Sequence, residues 1–383
     1  MTTDAGNSTP PARIAGSATA EGTARYKERF RSRLSEDHHR QAGGLWLSSV
    51  GIGTYLGEAD QRDDAGYRDS VVAAARLGCN VVDSAINYRF QRSERNVGDA
   101  LRSLFSAGFS RDELVVATKG GFIPFDGDYP ADPAGWVSSR LFETGIASRN
   151  DVVAGCHIMT PRYLETQIEW SRGNLGLQTL DIYYLHNPET QLQHVERHEF
   201  LSRIKAAFET LERNVAAGVI GIYGVATWDG FRLPPDHPGH LSLNELRVVA
   251  EQVGGSKHHF RAIQLPVNLV MSEACLLPTQ MSDGRRVSLL DAAADAGMVV
   301  MASGSLLQGK IIPALGADFA RMLPGTRTNA QRGIQVVRSV PGVATSLVGM
   351  KNPAHVEENL GVAALPRLAG EEAIRILEAC TRR

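Results

Sequence analysis

From about residue 45 to residue 349 the chain repeats one unit, a short apolar run followed by a stretch with helical periodicity. Eight such runs can be read, at residues 45–52, 80–83, 114–119, 180–186, 221–226, 262–266, 298–302 and 343–349. Strands joined through helices lie parallel, because the crossover returns the chain to the edge it left. Eight of them suit closure into a barrel with the helices outside. The expected class is therefore α/β, a (β/α)8 TIM barrel over residues 41–383, with an N-terminal extension over 1–40. A doubly wound open sheet is the runner-up, but no Gly-x-Gly-x-x-Gly opens a βα unit here.

Between the strands, apolar spacing predicts helices over 67–77, 161–174, 243–253, 289–296 and 330–340. Another follows Ser93, carrying Val97, Leu101 and Leu104, and another carries Phe200, Ile204, Phe208, Leu211 and Val215. Gly78 reads as a helix-ending glycine and Ser93 as a cap. Residues 1–24, rich in Ser, Thr, Ala, Gly and Pro, read as a flexible tail. Tyr26, Phe30 and Leu34 then recur every four residues among basic side chains, which predicts a short amphipathic helix docked on the barrel. Residues 120–160 break the rhythm after strand three. With Phe122, Phe125, Tyr129 and Trp136 among Gly, Asp and Pro, they read as a long loop that partly covers a site.

Charge and composition narrow the function. A formal net charge of −2 creates no global field for nucleic acid or an anionic membrane. No apolar run approaches the roughly 20 residues that span a bilayer. Cys79, Cys156, Cys275 and Cys380 lie far apart without metal-type spacing, which suggests reduced thiols, a cytoplasmic protein and no metal site. Oligomerisation is left open.

In a barrel the C-terminal strand ends meet on one face. That brings Asp83, Tyr88, Lys119 and His186 together from strands two, three and four. A tyrosine is a weak acid at neutral pH, and an adjacent ammonium stabilises its phenolate. Lys119 is the candidate ammonium, Asp83 the group that keeps it charged, and His186 the group that positions a carbonyl or hydroxyl oxygen. Such a set protonates an oxygen while something attacks its carbon. With no nucleophile–base pair in view, hydride from a nicotinamide cofactor is the natural attacker. Farther on, Gly349-Met350-Lys351-Asn352-Pro353 supplies a flexible glycine, a cation, an N-cap and an N1 proline, which open a helix able to receive phosphate.

These residues resemble the aldo-keto reductase superfamily over about residues 45–360. Asp83-x-x-x-x-Tyr88, Lys119 and His186 match its catalytic tetrad, with Tyr88 as general acid/base. The resemblance implies a nicotinamide site built on the barrel without a Rossmann domain. Its residues would be Gly53 and Thr54, Thr227, Gln264 for the carboxamide, Ser303, and the segment Gly349, Lys351, Asn352, His355, Glu358 and Asn359. Three departures stand out. Ala226-Thr227 replaces the frequent Ser-Asn, Ala302-Ser303 stands where an aromatic ring often stacks on nicotinamide, and His355 replaces an Arg frequent in NADP-preferring members. Lys351 would favour NADP(H), with NAD(H) possible. The expected function is interconversion of a carbonyl and an alcohol on a small substrate, with Asn87, Arg89 and Asn187 pointing to a sugar. The resemblance leaves two alternatives: a cofactor-binding regulatory subunit, as the barrel is also used beside potassium channels, and a lyase or isomerase that uses bound cofactor transiently.

Overall fold

The computed structural model describes residues 12–381. Eight parallel strands close a barrel: β1 (Val50–Gly53), β2 (Val81–Asp83), β3 (Val115–Gly120), β4 (Leu180–His186), β5 (Ile220–Ala226), β6 (Phe260–Pro266), β7 (Val299–Ser303) and β8 (Val343–Gly349). Each pairs with its sequence neighbours and β8 closes on β1. The β-branched runs suit a sheet buried on both faces. Val81, Val115, Ile182, Val299 and Met301 fill the barrel, while Val50, Ile52, Val82, Val116 and Tyr183 pack outward against the helices.

The first expected strand is in fact two elements. Leu45–Ser48 pairs antiparallel with His39–Ala42 as a hairpin, and only Val50–Gly53 enters the barrel. Gly43 and Gly44 at the turn have φ of 57° and 80°, the left-handed pair that a tight two-residue hairpin requires. The hairpin's Leu47 then plugs the barrel interior. The helix expected over 67–77 runs from Gln61 to Arg76, because the Asp60 side chain caps a polar first turn that apolar periodicity could not register. Ser93 is not a cap. Its hydroxyl donates to Thr54 O at 2.7 Å and ties the helix Arg92–Ser106 to the end of β1.

Residues 1–11 of the expected tail lie outside the described residues, and residues 12–24 are packed. Ile14 bridges to Leu177, Ala18 N donates to Asp181 Oδ1 at 2.7 Å, and Thr19 caps the helix Ala20–Arg29. Side-chain acceptors supplied by the barrel anchor a segment whose own composition carries little apolar surface. Tyr26 and Phe30 are buried, and Tyr26 donates to Ala75 O at 2.6 Å.

Residues 120–160 carry the short helix Pro133–Val137 and gather a small core of Leu141, Ala147, Ile158 and Tyr163. The segment leaves and rejoins the barrel at one place, where Phe122 bridges to His157. It flanks the helix Pro161–Leu175, because its apolar residues find partners there.

Candidate active site

Strand register sets the site. Gly53 pairs with Asp83, Asp83 with Ala117, Lys119 with Tyr184, and His186 with Ala226, which in turn faces Gln264. The ionisable side chains therefore rise from one rim, as the strand-end argument required. Lys119 Nζ donates to Asp83 Oδ2 and to Ser84 O, each at 2.7 Å. Gln264 Nε2 donates to the other carboxylate oxygen at 2.7 Å. The pair is almost wholly desolvated, with 1% and 6% of the two side chains exposed. Lys119 Nζ lies 4.7 Å from the Tyr88 ring centroid, and the Tyr88 and His186 rings meet edge-on at 5.7 Å. All four expected catalytic residues thus converge.

The electrostatics follow from burial. Desolvation works against the Lys119 charge, but Asp83 and Tyr88 outweigh it and hold its pKa above the ordinary lysine value, so it is an ammonium. Desolvation also raises the Tyr88 phenol above its usual value, with Lys119 pulling the other way. Tyr88 is therefore protonated at neutral pH. Burial, then Lys119 and His157, keep His186 far below the usual histidine range, so it is neutral. Its Nδ1 has no protein partner.

Beneath His186 lies His157, which sequence reasoning missed. His157 Nε2 donates to His186 O at 2.8 Å and its Nδ1 accepts from Gln191 Nε2 at 3.1 Å, which fixes the neutral tautomer. The Phe122 ring stands edge-on to both imidazoles, at 5.1 Å and 5.0 Å. Gly121, at φ 137°, leaves no room for a Cβ, which would sit 2.7 Å from His157 Nε2. No local motif announces His157, because its role depends on where the long insertion rejoins the barrel.

After Tyr88 the chain takes three successive left-handed residues, Arg89, Phe90 and Gln91 at φ 47°, 57° and 69°. Such residues are held only where their surroundings over-determine them. Arg89 shows how: it donates to Glu58 O and Asp64 at 2.6 Å and 2.8 Å and is buried. Arg89 is therefore a scaffold for the loop. The expectation that it faces substrate is corrected, whereas Asn87 and Asn187 do line the cleft.

The strand ends open into a cavity of about 750 Å³. Asp83, Tyr88 and His186 line its floor. Of the residues expected to hold a cofactor, Gly53, Thr54, Thr227, Gln264 and Ser303 line it, as do Gly349, Lys351, Asn352 and His355. Glu358 and Asn359 do not. Glu358 O accepts from Gln331 and Asn359 is buried in the helix Pro353–Leu360, whose turns carry both away from the wall. Thr54 commits its hydroxyl to Asp83 O and Ser84. The Thr227 hydroxyl is buried without a partner. Asn352 caps its helix as expected, with Pro353 at the first position. Lys351 Nζ donates to Asp63 Oδ2 at 2.6 Å.

Sequence reasoning also missed Tyr55, 55% exposed at the rim, and the loop 304–309 with Leu306, Leu307 and Gln308 on the wall. Phe122 is the one residue of 120–160 on the wall, so among the described residues that insertion does not cover the cleft. The polar Trp228–Gly230 turn is held by Glu189, whose Oε1 accepts from the three backbone N–H groups at 2.7, 3.2 and 3.5 Å. A second, open groove of about 920 Å³, lined by residues such as His194, Arg197 and His240, shares no residue with this cavity.

A partnerless buried hydroxyl, a free imidazole nitrogen and a capped helix end together fit a polar, phosphate-bearing ligand lying from β5 to β8. No cluster of His, Cys, Asp or Glu that could hold a metal ion occurs among the described residues, and no helix there is long and apolar enough to cross a membrane.

The model of the aldo/keto reductase family matches residues 49–233. The chain is 28% identical over 190 residues to a D-threo-aldose 1-dehydrogenase from a Pseudomonas species, covering 49% of this chain and 52% of the relative. It is 26% identical over 150 residues to an NADH-specific methylglyoxal reductase from Escherichia coli K12, covering 37% of this chain and 39% of the relative. The match thus spans about half of the first relative and less of the second. Among solved structures, an aldo/keto reductase from Klebsiella pneumoniae in complex with NADP and acetate superposes with a TM-score of 0.59 at 20% identity, covering 91% of this chain and 96% of that one. A glycerol dehydrogenase from Gluconobacter oxydans gives 0.62 at 18% identity, covering 91% and 95%. With these four side chains standing where the barrel's register requires, residues 49–233 match the aldo/keto reductase family and the barrel as a whole shares the fold of its solved structures.

Proposed function

We propose that this protein is an NAD(P)(H)-dependent oxidoreductase that interconverts a small polar carbonyl compound and its alcohol. The observation that carries the reading is the protonated Tyr88 beside a fully buried Lys119–Asp83 pair, at the floor of a cavity that reaches the Asn352-capped helix. Bound nicotinamide would supply or accept the hydride. Gly53, Thr227, Gln264 and Ser303 are the groups in reach of its ring half, and Gly349, Lys351, Asn352 and His355 those in reach of its phosphate half.

In reduction Tyr88 gives its proton to the substrate oxygen, and Lys119 stabilises the phenolate left behind. Asp83 keeps Lys119 charged and is itself held by Gln264. Neutral His186 orients the substrate oxygen through a ring nitrogen. Oxidation runs the same path backwards. Asn87, Asn187 and Trp228 on the wall favour a hydroxylated substrate such as a sugar.

Titration of the full chain with NADPH and with NADH, read by intrinsic fluorescence and calorimetry, comes first. Turnover on a panel of aldoses, ketones and their alcohols follows. Binding of a nucleotide with turnover on any member supports the reading, and binding of neither nucleotide overturns it.

A further inference from the structure

We infer that Asp63, packed behind Lys351 at the cleft wall, is a specificity-determining residue, engaging Lys351 so that an adenosine 2′-phosphate gains little over a 2′-hydroxyl. This rests on the reading of the cleft as a dinucleotide site. Lys351 is the sole Lys or Arg lining the cavity among the described residues, so any attraction for a 2′-phosphate there falls to it. Its Nζ is already 2.6 Å from Asp63 Oδ2. The Lys351 side chain is 41% exposed, but that of Asp63 is only 5% exposed.

The pair is set by the backbone and not by two mobile side chains. Asp63 Oδ2 also accepts from Glu58 N at 2.7 Å. At Gly57 an added Cβ would lie 2.6 Å from that same oxygen, and at Gly66 one would lie 2.4 Å from Lys351 O. The loop 57–58 and the helix Gln61–Arg76 are therefore pressed directly onto the chain that carries Lys351.

A phosphate dianion that draws on Lys351 must pull it from Asp63, whose buried carboxylate then keeps only Glu58 N and, at 3.4 Å, the exposed Arg62, and it adds a negative charge close by. Both consequences reduce what the phosphate gains. A 2′-hydroxyl makes no such demand. His355 stands on the wall where a second Lys or Arg would have added to the attraction.

Calorimetric titration of NADPH and NADH into the full-length protein tests this, with Asp63→Asn, Lys351→Met and the double variant. Asn keeps an acceptor for Glu58 N while removing the charge. The expected result is that Asp63→Asn tightens NADPH by roughly fivefold or more while NADH changes by less than about twofold, and that adding Lys351→Met erases the gain. In the parent, Lys351→Met alone should weaken NADPH by less than about threefold. Unchanged NADPH binding in a folded Asp63→Asn protein, or equal tightening of both nucleotides, overturns the inference. Should Asp63→Asn fail to fold, a loss of about tenfold or more in NADPH affinity for Lys351→Met would overturn it by the other route. Parent protein that binds neither nucleotide overturns the cofactor reading itself, an outcome distinct from both.

Discussion

Two lysine–aspartate pairs of nearly equal length, 2.7 Å and 2.6 Å, stand at the floor and at the rim of the same cleft. Lys119–Asp83 is sealed, with Ser84 O holding the ammonium and Gln264 the carboxylate. Lys351–Asp63 has one sealed partner and one facing solvent. Identical chemistry thus serves two ends. Breaking the inner pair strands a buried charge, so it is a fixed pair beside the Tyr88 ring. The outer pair can be broken by a ligand that offers something better, so it works as a filter. Burial, more than distance, separates the two.

The sharpest break is Lys119→Met. It leaves Asp83 buried against a single amide, and stability should fall by about 3–5 kcal/mol in urea titrations, with carbonyl turnover lost in whatever fraction stays folded. A variant as stable and active as the parent would mean that the inner pair is ornamental. The same logic applies to the neutral imidazoles beneath the pair. Burial lowers His157 to about 4, so the unfolded chain takes up a proton that the folded protein refuses. The stability this group lends is complete above the unfolded value near 6.5. It drains as pH falls and levels off below about 4, a loss of roughly 3 kcal/mol. His157→Gln should reduce the slope of melting temperature against pH between those limits, while His38, His39 and His186, also lowered by burial, retain their own shares. A parent curve flat across that window would contradict the buried neutral tautomer.

Smaller effects probe the cofactor half, where polar atoms wait instead of pairing. Thr227→Val removes a buried hydroxyl that has no partner. The free protein should gain about 1 kcal/mol, while nucleotide affinity drops a fewfold. Opposite signs in the two measurements identify a group kept for a ligand, and equal signs would mark Thr227 as packing.

Sequence reasoning reached the barrel because β-branched runs and amphipathic segments alternate cleanly, and seven of the eight expected strands fall close to their places while the first divides into a hairpin strand and a barrel strand. It reached the tetrad because strand ends of a barrel converge whatever their spacing in the chain. It misread what depends on partners remote in sequence. Residues 12–24 look unstructured by composition, yet Asp181, Gly176 and Gln178 hold them. Arg89 looked like a substrate contact, and only the fold reveals Asp64 and Glu58 O around it. Asp63 lies before the helix expected over 67–77, and nothing local links it to Lys351, 288 positions away. Glu358 and Asn359 were placed by resemblance, and the helix turn carries them off the wall.

The central claim is that Tyr88 moves the proton. Tyr88→Phe, assayed for turnover on a carbonyl that the parent reduces and titrated with its preferred nucleotide, tests it most directly. Turnover should fall by roughly 10² to 10⁴, with the nucleotide dissociation constant within about twofold of the parent's. Near-parental turnover would contradict the assignment, and an equal collapse of nucleotide binding would show that the hydroxyl holds cofactor instead of donating a proton.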